Sequence, residues 1–326
     1  LRTSFLQRSR KLLYKRDDIM GNLTNLRKYI FETDNSACFI ERDEILGRLE
    51  TEMAEYSEPD KFAIVFSKLL GEVSVPINEN DYFAGRVVEA LPYEGLKTAN
   101  RFLCSEGHLS PDYEKILRCG LKGIVFEIND VARKKGDPES EIFAKNAIIV
   151  AEAIRDYCLR YAEKARQMGF EAMAKALRTV PYEPAYDFYS ALQGIWILHM
   201  VLSCYIGARD YAFGNFDQYM LPFYESALIN GQTEAELTEL LAGFFIKTNE
   251  ICGRCTHNYN KKPILCQSSK QYVNIGGEFP NEFSIVCLKA AELNHMAQPE
   301  IVVRLKPDAD AEFTDQVFKS LAVLTD

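Results

Sequence analysis

Gln271-Tyr-Val-Asn-Ile-Gly276, then Asn281–His295, then Glu300-Ile-Val-Val-Arg-Leu305, is the stretch that decides the fold. The outer runs are short, β-branched and bounded by Gly or Pro, so they read as strands. The middle run carries apolar residues at helical spacing. Strand, helix, strand in that order favours parallel strands joined by crossover helices, an α/β arrangement.

The segments upstream are helical. Asp137-Pro138-Glu139 is a helix start, with Asp as the cap and Pro in the first turn. It opens a long helix through Ala151, Ile154, Tyr157, Tyr161 and Ala165, ending near Gly169. Ser110-Pro111-Asp112 has the same signature, with Ser110 as the expected cap. Thr233-Glu-Ala-Glu236 is a capping box. Tyr186–Tyr205 is apolar nearly all round and therefore central. Ile30-Phe31 and Ile40-Glu41-Arg42 sit in amphipathic helices, and Pro76–Gly95 is rich in loop formers. No internal repeat or linker interrupts the chain.

The chain has 326 residues, 47% hydrophobic and 26% charged, in the range of a globular protein. A formal charge of −9 argues against a general nucleic-acid binder, which needs a basic surface. It is compatible with a local basic pocket for a small anion. Nine cysteines at mostly irregular spacing do not describe a secreted disulfide scaffold. They imply reduced thiols and a cytoplasmic location. The apolar run Gly194–Ile206, interrupted by His199 and Ser203, is too short to span a membrane, and no signal peptide is expected.

Several residues could carry chemistry. His108 precedes a helix start, where a histidine is either structural or a hydrogen-bonding group in a pocket. Arg209-Asp210 lies in a polar run, Gly207–Tyr219, directly after the central helix. Those side chains either solvate or line a cavity, where Arg209 would favour a carboxylate, sulfonate or phosphate. Gln267, Ser268 and Gln271 supply uncharged donors and acceptors of the kind that orient a small polar ligand. Arg304, in a β-branched strand, either faces an anion or lies exposed on an edge. Cys252-Gly-Arg-Cys255 has zinc or redox spacing but no second close pair.

Four ordered segments resemble the glycyl radical enzymes, the pyruvate formate-lyase-like family. They are Gly107–Gly123; Phe188–His199 leading into Gly214-Asn-Phe-Asp-Gln-Tyr219; Gln271–Gly277; and Asn281–Ala290 followed by Gln298-Pro-Glu-Ile-Val-Val-Arg304. The resemblance runs from about Tyr82 to Asp326. It implies a helix-rich region over 1–80 and, over 81–326, the first half of a ten-stranded α/β barrel within a single domain. It also implies a radical stored on a backbone glycine by a separate S-adenosylmethionine-dependent iron–sulfur activase, with no cofactor bound directly. A cysteine thiyl then abstracts a substrate hydrogen, and C–O, C–N, C–C or C–S cleavage follows.

The chain stops short of the segments where the family keeps that cysteine and that glycine. No catalytic residue is therefore assigned, and the C-terminal radical domain is expected to be absent. The resemblance makes His108, Arg209, Asp210, Gln267, Ser268 and Gln271 substrate-facing, and Arg304 joins these candidates on its place in a β-branched strand. Arg209-Asp210 stands where the family often has His-Ser, which points to an anionic substrate; Asn215 stands where Arg is usual. The implied partners are a small polar substrate, the activase and a second copy in a full-length homodimer, with neither nucleic acid nor membrane. The competing readings are an inert truncated paralogue serving as a binding module, and a Cys-x-x-Cys redox or zinc protein.

Overall fold

The helix at the centre has no polar face. A computed structural model of the chain describes residues 16–32, 36–53, 56, 58–85, 109–204, 211–250, 271–277, 279–294, 296 and 298–324, and the structural statements below concern these. Among them the chain forms α1 (Arg16–Glu32), α2 (Ser36–Glu52), α3 (Glu58–Glu72), α4 (Tyr113–Lys135), α5 (Pro138–Gln167), α6 (Glu171–Leu177) and α7 (Phe188–Cys204). These are followed by β1 (Gly214–Asn215), α8 (Phe216–Ile229), α9 (Glu234–Thr248), β2 (Tyr272–Gly276), α10 (Glu282–Asn294), β3 (Glu300–Arg304) and α11 (Ala311–Leu324).

In α7, Phe188, Leu192, Ile195, Trp196, Met200 and Val201 are all buried. Each such side chain contributes about 1.5–3 kcal/mol of transfer free energy. Helices α4, α6, α8 and α9 pack around α7, and α10 covers α9. An aromatic cluster of Phe213, Phe216, Phe244 and Phe283 fills the space between them.

Two helix starts form as expected. Asp137 accepts from the amide of Ser140 to cap α5, and Thr233 and Glu236 complete the capping box of α9. The start of α4 differs from expectation. Its cap is Asp112, which accepts from the amide of Lys115 at 2.9 Å, and not Ser110. The carboxylate both accepts that bond and complements the helix dipole, so it displaces the hydroxyl two residues earlier.

Gly120 breaks α4 with φ 66° and ψ 172°. The amides of Leu121 and Lys122 then turn outward to the carbonyls of Pro181 and Tyr182, at 2.9 and 3.0 Å. The kink therefore docks α4 on the turn before α7, and its freed donors stay satisfied.

The three strands form one parallel sheet in the order β1-β2-β3. Helices α8 and α9 lie between β1 and β2 in the chain, and α10 lies between β2 and β3. Strands and crossover helix follow the sequence reading to within a residue at each end. The two-residue β1 has no sequence signature of its own.

A Cβ at Gly120 would lie 2.2 Å from the carbonyl oxygen of Tyr182, whereas one at Gly136, with a similar φ of 64°, would meet nothing within 4 Å. Gly136→Ala should therefore cost about 1 kcal/mol, the left-handed penalty alone. Gly120→Ala should cost well over about 2 kcal/mol. Denaturant midpoints of equal size for the two variants would contradict this account of the kink.

Candidate substrate-facing site

The sheet has two unlike faces. Val273 and Ile275 of β2 are buried and pair across to Ile301 and Val303 of β3, on the side where α8 and α10 pack. The alternate residues share the other face. There Asn215 pairs with Asn274 and Asn274 with Val302, while Tyr272 pairs with Glu300 and Gly276 with Arg304. Asn215, Val302 and Arg304 are exposed, and Tyr272, Asn274 and Glu300 are half-buried. One face thus belongs to the core and the other is polar and open.

The amino ends of the strands are tied down by buried polar side chains. Gln271 is 2% exposed and spends its whole amide inside the protein. Its Nε2 donates to the carbonyl of Thr248 at 2.9 Å, so its Oε1 must face Nε2 of His199, also at 2.9 Å. That arrangement fixes the histidine: Nε2 carries the proton, and Nδ1 accepts from the hydroxyl of Tyr113 at 2.8 Å. Burial, which outweighs the opposing Gln271 bond, pushes the His199 imidazole down to about 3. The adjacent Gln298 bonds the backbone amide of Gln271 through its Oε1, and Asn249 bonds both the amide and the carbonyl of Gln298.

Segments carrying the candidate residues converge at this end. The amide of Ala212 bonds the carbonyl of Leu109 at 2.9 Å, and that of Phe213 bonds the carbonyl of Tyr272 at 2.7 Å. His108, Arg209, Asp210, Gln267 and Ser268 lie outside the described residues, as do Cys252 and Cys255. Their described chain neighbours Leu109, Tyr211 and Gln271 meet around β1 and β2. Arg304 sits at the opposite, carboxyl end of the strands, exposed on β3 at the sheet's edge among the described residues.

Asp217 also belongs to the polar run read as solvating or lining a cavity, yet it is 1% exposed. Its Oδ2 accepts from the amide of Gly276 at 2.7 Å and from the hydroxyl of Ser284 at 2.5 Å. It staples the start of α8 to the end of β2 and the start of α10. Burial, partly offset by these bonds, raises its carboxyl above the usual range. His199 was legible only as a polar interruption of an apolar helix; a polar group there must find partners, and that is the signal that marks it. Among the described residues no group of metal-ligating side chains occurs and no helix is long and apolar enough to cross a membrane.

Two outcomes follow from these contacts. The unfolded chain protonates His199 near 6.5 and the folded chain only near 3, so stability falls as pH drops through that window. The slope should approach about 1.4 kcal/mol per pH unit. His199→Gln, which keeps a donor and an acceptor but no titratable ring, should flatten it; an unchanged slope would refute the neutral, buried imidazole. Asp217→Ala should cost about 2–3 kcal/mol by stranding two donors. Asp217→Asn, whose carbonyl can still accept both bonds, should cost less than half as much.

Known proteins share this architecture. A profile of the pyruvate formate lyase-like family matches residues 88–323. The chain is 30% identical over 237 residues to the isethionate sulfite-lyase of Nitratidesulfovibrio vulgaris, covering 64% of this chain and 28% of that one. It is 23% identical over 247 residues to a probable dehydratase of Escherichia coli, covering 68% and 30%. The fold superposes on the glycerol-bound B12-independent glycerol dehydratase of Clostridium butyricum with a TM-score of 0.77 at 20% identity, covering 92% of this chain and 49% of that one. The chain thus spans about half of that solved structure, and its matches cover under a third of those two relatives. With its helix-rich amino-terminal region and parallel half-sheet of barrel type, the chain belongs to the pyruvate formate lyase-like family.

Proposed function

We propose that this chain is the amino-terminal, substrate-facing part of a glycyl radical dehydratase or lyase. The radical glycine and the hydrogen-abstracting cysteine would lie in polypeptide outside these 326 residues. In this reading residues 1–80 form a helical region and 81–326 the first half-barrel of one domain. A separate activase would install the radical, which supplies hydrogen-atom abstraction from the substrate.

The observation that carries the reading is the convergence at β1 and β2. Three candidate-bearing segments join the described structure beside a polar sheet face that no described helix covers. His108, Arg209, Asp210, Gln267 and Ser268 would then flank a small polar substrate at the amino end; Arg304, a strand's length of roughly 13 Å away, would stand outside that contact set. Gln271 acts at one remove, because its amide is committed to His199 and Thr248. Arg209 would engage an anionic group and Asp210 a hydroxyl, in place of the family's His-Ser. A radical intermediate requires water to be kept from the reacting atoms, and polypeptide outside the described residues would have to cover the open sheet face.

The test is to express the complete reading frame that contains these residues, activate it without oxygen using a matching activase, and record the electron paramagnetic resonance spectrum. A glycyl doublet with consumption of a small diol or hydroxy-sulfonate is expected, and Asp210→Asn should lower turnover by about tenfold or more, the usual scale for a positioned polar group. A complete frame that yields neither signal nor turnover would sink the enzyme reading and leave a binding module in its place.

A further inference from the structure

We propose that Tyr113 and His199 form a proton-coupled redox pair, a buried site that takes up and returns a single oxidising equivalent. The pair is separate from the substrate-facing residues and does not depend on the proposed function.

A phenol gives up an electron readily only where its proton has somewhere to go, because the oxidised phenol is a strong acid. Tyr113 is 1% exposed and His199 is fully buried, so bulk water is not the acceptor. The Tyr113 hydroxyl instead donates to Nδ1 of His199 at 2.8 Å. That nitrogen offers a lone pair because Nε2 holds the ring proton against Oε1 of Gln271 at 2.9 Å. Gln271 is itself fixed by its bond to the carbonyl of Thr248, so the imidazole is held in the accepting orientation. Tyr219 makes the contrast. Its ring centroid lies 6.5 Å from that of Tyr113, but its hydroxyl donates to the carbonyl of Phe213 at 2.7 Å. A carbonyl oxygen is too weak a base to keep a proton, so Tyr219 cannot discharge its own by that bond.

An oxidant of the thiyl-radical class removes one electron from the phenol and is reduced to a thiolate. The O–H bond of Tyr113 breaks, and an N–H bond forms at Nδ1 of His199. The products are a neutral phenoxyl radical and an imidazolium, still joined by a hydrogen bond whose direction has reversed. Nε2–H stays on Gln271, whose carbonyl oxygen now accepts from a charged donor, a stronger bond than before. The ring of Phe213 stacks on the imidazole at 4.1 Å and 20°, and its π face attracts the new cation. Burial opposes that cation, so the proton goes back to the phenolate oxygen once an electron returns. Tyr219 is half-buried, and its ring is a stepping point between the surface and Tyr113.

The test is to flash-oxidise the full-length protein, carrying isotope-labelled histidine nitrogen, with photo-oxidised ruthenium tris-bipyridine and to record the electron paramagnetic resonance spectrum. A tyrosyl radical coupled to a labelled imidazole nitrogen is expected. Replacing Tyr113 by difluorotyrosine, which keeps the ring and the hydroxyl and so spares the fold, should add fluorine splitting to that signal. Tyr182→Phe removes a phenol bonded to Glu152 elsewhere in the molecule and should leave the signal unchanged. His199→Gln keeps a donor and an acceptor but no base, and should shorten the radical's lifetime about tenfold, the scale of one charge-assisted hydrogen bond. A tyrosyl radical without nitrogen coupling, a coupled signal without fluorine splitting, or no tyrosyl radical at all would overturn the pair. So would an unchanged lifetime in His199→Gln. Because ruthenium supplies the oxidant, the enzyme reading fails separately: a missing glycyl doublet in the activated protein sinks that reading and leaves the pair standing.

Discussion

Everything on the sheet depends on the hydrogen bond between Gln271 and His199. Strands of two, five and five residues cannot hold themselves in water by their own ladder, since each bond nets only about 1 kcal/mol. They need a fixed attachment to the helices. Gln271 provides it at the first position before β2, gripping α7 through His199 and the end of α9 through Thr248. Gln298 does the same before β3 by way of Asn249. Asp217 closes the far end of β2. Among the described residues these attachments lie at the strand ends and none crosses the middle of the polar face.

A second buried cluster serves the chain just ahead of the undescribed residues 86–108. Lys247, 1% exposed, lies 2.9 Å from Asp81 and 2.7 Å from Glu250. Burial alone would depress its ammonium, but the two carboxylates outweigh that and hold it well above the ordinary lysine value. Removing Lys247 would leave two buried carboxylates without their cation. Around it Tyr82 bonds Glu239, Gln193 bonds both backbone groups of Ala84, and the Trp196 indole bonds the carbonyl of Gly85. The segment 81–85, rich in turn formers by sequence, is in this way one of the most firmly held loops in the molecule.

Sequence reasoning reached the pattern-bearing elements and stopped at the long-range ones. Strands β2 and β3, helix α10 between them and the capping box of α9 are local: alternation, periodicity and a four-residue signature suffice. Strand β1 is two residues whose only claim to be a strand is the neighbour at Val273 and Asn274, sixty residues on. Asp217 stood in a polar run read as solvating or lining a cavity, but its partners Gly276 and Ser284 are equally distant in sequence. The choice of Asp112 over Ser110 turned on where the backbone enters α4, which both caps permit. Of the candidate substrate residues, Gln271 was recognised as a polar group at a strand start, while its commitment to a histidine in another helix was not readable. Arg304 was left between an anion and an exposed edge, and the structure shows it exposed beside Lys306.

The locked tautomer of His199 has a use beyond holding the strand. A ring N–H that is fully buried and bonded to an amide oxygen exchanges slowly with solvent and resonates far from the bulk of amide protons. The molecule therefore carries its own spectroscopic reporter at the joint between helix and sheet. Its signal would sharpen or vanish with the docking of β2, independently of any label and of any ligand at the strand ends.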